Sequence, residues 1–219
     1  MITLFTSYIC NKNEPLIQEI LLKWKSLNPT FNILYFSDLD VYNFFKDTTY
    51  FNTYNKMKNG VAIADLFRIC YINKFGGFWF DIDLEPFKVN ITNNHNIQLF
   101  DCGYGNISYM FIGGIYNQKL FNDVINEVIN NIKKNIPNKT QHIMEITGPR
   151  VIQNIILKKM NIKNKDGCFK AKEIEQIYLT DTDYEFSYGK INIKNTKTDI
   201  YKLLQKKYKK KHYQCYNFV

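Results

Sequence analysis

Apolar positions along the chain fall into short blocks of two alternating kinds. Ile2 to Ser7 and Phe31 to Phe36 are compact runs of strand length. Glu14 to Leu27 instead spaces its apolar residues at helical intervals, with Pro15 in the first turn. Ser37 stands where it can cap a helix running through Phe45. From Gly60 to Phe75, Ile63, Leu66, Phe67, Cys70 and Tyr71 can share a helical face, and Gly76-Gly77 supplies a stop. A strand is predicted over residues 77–83. Two more, Ile97 to Asp101 and Ser108 to Ile112, flank a Gly-Tyr-Gly loop. Leu120 to Ile132 has the helical spacing of Val124, Val128 and Ile132, and Pro149 opens a helix over 149–160. Beyond Cys168 the periodicity fades. Alternating β and α units predict an α/β fold, and with no repeat, linker or boundary the expectation is a single domain over 1–219.

The predicted strand at 77–83 ends in Asp81-Ile82-Asp83. Side chains alternate along a strand, so the two carboxylates face one way and Ile82 faces the core. Neighbouring carboxylates repel unless a cation or donors intervene. Oxygen-only ligands favour a hard divalent ion, Mg²⁺ or Mn²⁺, which also binds substrate phosphates. In the preceding helix Asp65 and Arg68 lie three residues apart on one side. Taken alone, that pair also reads as an exposed ion pair, worth about 0.2–0.5 kcal/mol.

Ala62, Asp65, Arg68, Gly76, Gly77, Trp79, Asp81 and Asp83 together carry a resemblance. The segment resembles the sugar-binding Asp-x-Asp region of glycosyltransferases of the family 32 type, of initiating mannosyltransferases and of capsular-polysaccharide sugar transferases. More remotely it is similar to the large glucosylating toxins. Those families read Ala-x-x-Asp-x-x-Arg, then Gly-Gly-x-Tyr-x-Asp-x-Asp; the spacing agrees over about residues 60–87, and the departure is Trp79 in place of Tyr. The resemblance implies a GT-A-like, Rossmann-type nucleotide-sugar-binding domain with a mixed, mostly parallel sheet. It implies a metal-dependent transfer of a sugar from a UDP- or GDP-sugar to a glycan, lipid or protein hydroxyl, with retention of anomeric configuration. On that pattern Asp83 and Asp81 hold the Mn²⁺ or Mg²⁺, Asp65 and Arg68 meet the sugar or diphosphate, and Trp79 and Asp81 border the donor. Tyr8, after the first strand, is placed near the nucleotide base, or is an ordinary strand-end aromatic. His212 is either a late metal ligand or a filler side chain, since the chain lacks the family's Ser-Trp ending.

Two later segments also match the family. Tyr109 to Gly114 fits a strand and small-residue turn, and Thr147-Gly148-Pro149-Arg150 fits a Thr-Gly-Pro element that opens a helix. The first reading of the latter is structural, with Thr147 as N-cap and Pro149 near the first turn; the second is an anion-facing helix start aided by Arg150.

Two alternatives compete. Phosphatases of the haloacid-dehalogenase type also place Asp-x-Asp after a strand, but near the domain start and followed by Thr or Val, where this chain has Glu85-Pro86. A carbohydrate-binding or nucleotide-sugar-binding protein that keeps the fold without turnover is the other.

Composition narrows the setting. The 219 residues are 45% hydrophobic and 16% aromatic, which excludes a disordered chain. The five cysteines (Cys10, Cys70, Cys102, Cys168 and Cys215) are scattered without metal spacing and fit buried thiols in a reducing compartment. No apolar run has membrane-spanning length and no basic leader precedes the first strand, so the expected location is the cytoplasm or the cytosolic face of a membrane. Lys202, Lys206, Lys207, Lys209, Lys210 and Lys211 account for six of the formal +9, concentrated in a basic segment at about 197–219. That segment reads as a solvated helix face or as peripheral contact with an anionic membrane; without a base-reading motif, no nucleic-acid partner is expected.

Overall fold

A computed structural model describes residues 2–8, 12–91, 96–101, 106–134, 140–159 and 186–190, with the backbone alone for 140–142 and 186–190. The elements in chain order are β1 (Thr3–Ser7), α1 (Pro15–Leu27), β2 (Asn32–Phe36), α2 (Asp38–Lys46), α3 (Phe51–Tyr54), α4 (Gly60–Phe75), β3 (Gly77–Phe80), β4 (Ile97–Asp101), β5 (Ile107–Gly114), α5 (Lys119–Lys134), α6 (Thr140–Ile146), α7 (Pro149–Lys159) and β6 (Phe186–Lys190). The six strands form one sheet in the order β2-β1-β3-β5-β4-β6. Strand β5 pairs antiparallel with both neighbours and the other pairings are parallel, so the sheet is mixed and mostly parallel as expected.

Strand alternation sorts the core onto two faces. Phe5, Trp79 and Ile112 pack with α2, α4, α5 and α7 on one side. Leu4, Phe78, Phe80 and Phe111 pack with Ile17, Ile20 and Trp24 of α1 on the other. Layers of helix, sheet and helix bury both faces of the sheet.

Helix α4 is the structural centre of the first layer. Asn59 caps it, accepting from the N–H groups of Val61 and Ala62 at 2.9 and 3.4 Å. All five residues expected on its apolar face are buried, but so are Ala62, Asp65, Arg68, Ile69 and Ile72, so the helix is enclosed rather than half-exposed. Gly76 and Gly77 end it at φ +73° and +109°. A side chain at Gly77 would come within 2.8 Å of the Thr3 carbonyl, so the stop is also a point of close strand approach.

The expected strand over 77–83 is shorter in the structure. It ends at Phe80, and Asp81 to Leu84 form a turn closed by the Leu84 N–H on the Asp81 carbonyl at 2.9 Å. Ile82 still reaches the core. The antiparallel partner explains the exit: Asp81 makes a last backbone bond to Met110, after which the chain leaves the sheet. Asn28 then pins the departing segment. Its side chain donates to the Trp24 and Phe87 carbonyls at 3.0 and 2.9 Å and accepts from Val89 N–H at 2.8 Å.

Candidate functional site

The chain runs from β1 through α1 to β2 on one side of the sheet, and later returns to β3 on the other side of β1. Ligands in open α/β sheets bind outside the carboxyl ends of strands at such a reversal. Here Ser7 and Tyr8 follow β1, Asp81 to Asp83 follow β3, and all of them line one cavity of about 170 Å³ with Gly60, Val61, Ala64, Arg68 and Trp79. The structure therefore brings together Tyr8, Arg68, Trp79, Asp81 and Asp83, five of the seven residues singled out from the sequence. Asp65 joins them through Arg68. His212 and the basic segment at 197–219 lie outside the described residues.

Asp65 and Arg68 are not an exposed ion pair: they are 4% and 5% exposed. Arg68 lies at a crossing of contacts. Its Nη2 is 3.4 Å from Asp65 Oδ1 and its Nη1 is 3.2 Å from Asp81 Oδ1. Nη1 also donates to the Tyr109 carbonyl at 2.6 Å, and Nε to Ala64 at 3.1 Å. The guanidinium lies 4.4 Å from the Trp79 ring centre and 5.7 Å from that of Tyr109. Of the five N–H donors of a guanidinium, two make these hydrogen bonds, and the two carboxylates stand at ion-pair distance. Such a buried cation is costly unless paired and hydrogen-bonded, and this one is both.

Trp79 occupies the position where the resembling families carry Tyr. Its indole N–H donates to Asp81 Oδ1 at 2.7 Å, while its ring is 2% exposed and packs against Phe5 and Phe67. The substitution thus supplies a donor to the carboxylate from inside the core.

Burial raises the pKa of two carboxyls at the site. Asp65 is pushed up to about 6 by desolvation, against the opposing pull of Arg68 and a hydrogen bond from Thr147. Asp83 is pushed up to about 7 by desolvation and then by the negative charge of Asp81. Crowded carboxylates with raised proton affinity are chemically suited to a hard cation or to hydroxyl donors. Among the described residues no cluster of three or more His, Cys, Asp or Glu surrounds a common point.

Thr147 is the residue whose role the sequence reading misassigned. It does not cap α7: its buried hydroxyl lies 3.1 Å from Asp65 Oδ2 and 3.2 Å from the Ile143 carbonyl, reaching the site across 82 positions. The Thr-Gly-Pro element was the available signal. Arg150 pairs with Glu145 at 2.7 Å on the surface. Tyr8 is 8% exposed, and its carbonyl accepts from the Tyr35 hydroxyl at 3.1 Å.

Comparison with known proteins places these features. Residues 15–98 match the family described as a glycosyltransferase sugar-binding region containing a DXD motif, which takes in α4, β3 and both carboxylates of the turn. Among solved structures the chain is similar to the PaToxG glycosyltransferase, with 14% identity and a TM-score of 0.52 over 73% of this chain and 68% of that one. At that identity the likeness establishes the fold. No curated protein matches the sequence. No helix among the described residues is long and apolar enough to cross a membrane. The chain has a GT-A-like α/β fold, and the matched region supports a glycosyltransferase.

Proposed function

We propose that the protein is a metal-dependent glycosyltransferase of the family 32 type, transferring a sugar from a UDP- or GDP-sugar to an acceptor hydroxyl with retention. The observation that carries this reading is the wall formed by Asp65, Arg68 and Asp81, with Asp83 beside it, at the strand reversal. The nucleotide occupies the cavity beside Tyr8, and the sugar lies against Asp65, whose carboxylate accepts from its hydroxyls. Arg68 chiefly orients the two carboxylates it bridges, and its guanidinium also serves a sugar or diphosphate oxygen. Trp79 borders the donor and holds Asp81.

Asp83 and the free oxygen of Asp81 fit a Mn²⁺ or Mg²⁺ ion, with His212 a further ligand by resemblance. When bound, such an ion neutralises the negative charge that develops on the departing diphosphate. The bond from sugar C1 to the diphosphate oxygen breaks, its electron pair leaving with the nucleotide diphosphate. The acceptor oxygen bonds to C1 on the same face, and its proton passes to the departing phosphate oxygen. The acceptor is a glycan, lipid or protein hydroxyl. The six lysines between 202 and 211 support peripheral contact with an anionic membrane.

Calorimetry with a panel of UDP- and GDP-sugars, with and without Mn²⁺, tests the donor assignment. Saturable binding of one donor that strengthens at least tenfold with Mn²⁺ is expected, and absence of binding across the panel contradicts it. NMR of the product tests retention: an inverted anomer overturns that part alone.

A further inference from the structure

A second cavity, of about 450 Å³, shares Val61, Arg68 and Asp81 with the first and adds Asp65 to its wall. Its volume lies in the usual range for small-molecule sites, about 300–1,000 Å³. The apolar part of its lining is Val61, Ile107, Met110, Ile143, Met144 and Pro149. None of these six side chains offers a hydrogen bond to a polyhydroxylated ligand.

Polar side chains of the same lining each have a partner. Gln153 donates to Asn106 at 3.4 Å, Arg150 is held by Glu145 at 2.7 Å, and Ser108 Oγ accepts from the Met110 N–H at 3.1 Å. A second sugar ring laid over the apolar side chains would lose water from its hydroxyls there and find no replacements among them, at about 1–3 kcal/mol for each group left unpaired. Met144 is 45% exposed although large and apolar, which leaves hydrophobic surface facing outward. One polar atom stands out against this background. Tyr109, whose ring helps line the cavity, has a buried hydroxyl without a hydrogen-bond partner among the described residues.

We propose that this cavity is the acceptor site, and that it selects an acceptor whose reactive hydroxyl is carried on an apolar framework, a hydrocarbon chain or an aromatic ring, over a free oligosaccharide. The assignment as an acceptor site rests on the glycosyltransferase reading, whereas the ligand class rests on the lining. The hydroxyl approaches the Asp65–Arg68–Asp81 wall, and the framework lies against Ile107, Met110 and Met144.

The test needs no turnover. The full chain is labelled with ¹³C at its five methionine methyls. Met110 and Met144 line the cavity, while Met57 is buried in the first core layer and serves as the internal reference. The probes are hexyl glucoside below its micellar concentration for the chain-borne class, 4-ethylphenol for the ring-borne class, and glucose and maltose as polar comparators. Saturable shifts of Met110 and Met144, with Met57 unmoved, are expected for at least one apolar probe at an affinity tenfold or more above either free sugar. Which probe binds distinguishes chain from ring. Met144→Glu, a rim substitution, is expected to weaken that probe at least tenfold as read at Met110. Free sugars binding as tightly as the apolar probes, no shift with either apolar probe, or an unaffected Met144→Glu variant would overturn the selectivity. Apolar binding in a protein that releases nucleotide diphosphate from no donor would instead remove the glycosyltransferase reading, keeping the ligand class and losing the acceptor assignment.

Discussion

The Thr147 hydroxyl lies 3.1 Å from Asp65 Oδ2, while Arg68 holds Asp65 Oδ1 at 3.4 Å, so the buried carboxylate is gripped at both ends. Thr147 belongs to the turn between α6 and α7, and Asp65 to α4. The contact therefore sets the orientation of a sugar-facing acceptor from a distant part of the chain. Thr147→Val keeps the shape and removes the hydroxyl. A hydrogen bond to a charged group contributes about 1.5–3 kcal/mol, or roughly tenfold to a hundredfold at about 1.4 kcal/mol per decade. Donor turnover is expected to fall by that factor, and Thr147→Ser to recover most of it. Equal activity in the Val variant would show that the hydroxyl merely packs the turn.

Trp79 donates to the same Asp81 oxygen that Arg68 approaches. Trp79→Phe preserves the aromatic packing and deletes that donor. The expected result is roughly a tenfold loss in kcat with a smaller stability change, followed by steady-state kinetics and thermal unfolding. A variant as active as the wild type would show that Asp81 needs no orientation from the indole.

Arg68 is buried among two carboxylates, two carbonyls and two aromatic rings. Removing one partner of a buried ion pair costs about 3–5 kcal/mol because the other charge is stranded. Arg68→Met should therefore lower unfolding stability by about that amount in urea titrations. A loss below about 1 kcal/mol would mean that the carboxylates take up protons or water with little penalty.

Raised carboxyl pKa values reverse the usual acid dependence at this site. Asp65 titrates near 6 and Asp83 near 7 in the folded protein, against 3.8 for a free side chain. Between the two values the folded state binds more protons than the unfolded chain, so these groups add stability as pH falls from about 7 toward 4. The cost of their ionised forms is fully present above the folded values. Comparing unfolding midpoints at pH 7.5 and 5.0 for wild type and Asp65→Asn checks the sign. The wild type should gain on acidification relative to the variant; an equal response in both would exclude Asp65 as a source of the effect.

The chain's periodicity carries most of this architecture. The spacing of Val124, Val128 and Ile132, the prolines at 15 and 149 and the glycine pair at 76–77 place their elements within a few residues of the observed bounds. The pairing Asp-x-x-Arg with Asp-x-Asp places most of the candidate site, because a helix and the strand after it keep their register across a two-glycine stop. What the sequence does not show is what depends on distant partners. Asn28 and Thr147 are ordinary polar residues until Val89 and Asp65 arrive beside them. The end of β3 is set by where the backbone bonds to β5 stop, which the apolar run through Ile82 conceals. Short elements such as α3 have too few residues to display a period.

The most direct measurement is release of nucleotide diphosphate from a panel of UDP- and GDP-sugars in the presence of Mn²⁺, comparing wild type with Asp83→Ala. Release from one donor, abolished by chelation of the metal and reduced at least a hundredfold in the variant, is the expected result. A folded protein that binds no nucleotide sugar and releases nothing, or an Asp83→Ala variant as active as wild type, would contradict metal-dependent glycosyl transfer at this site.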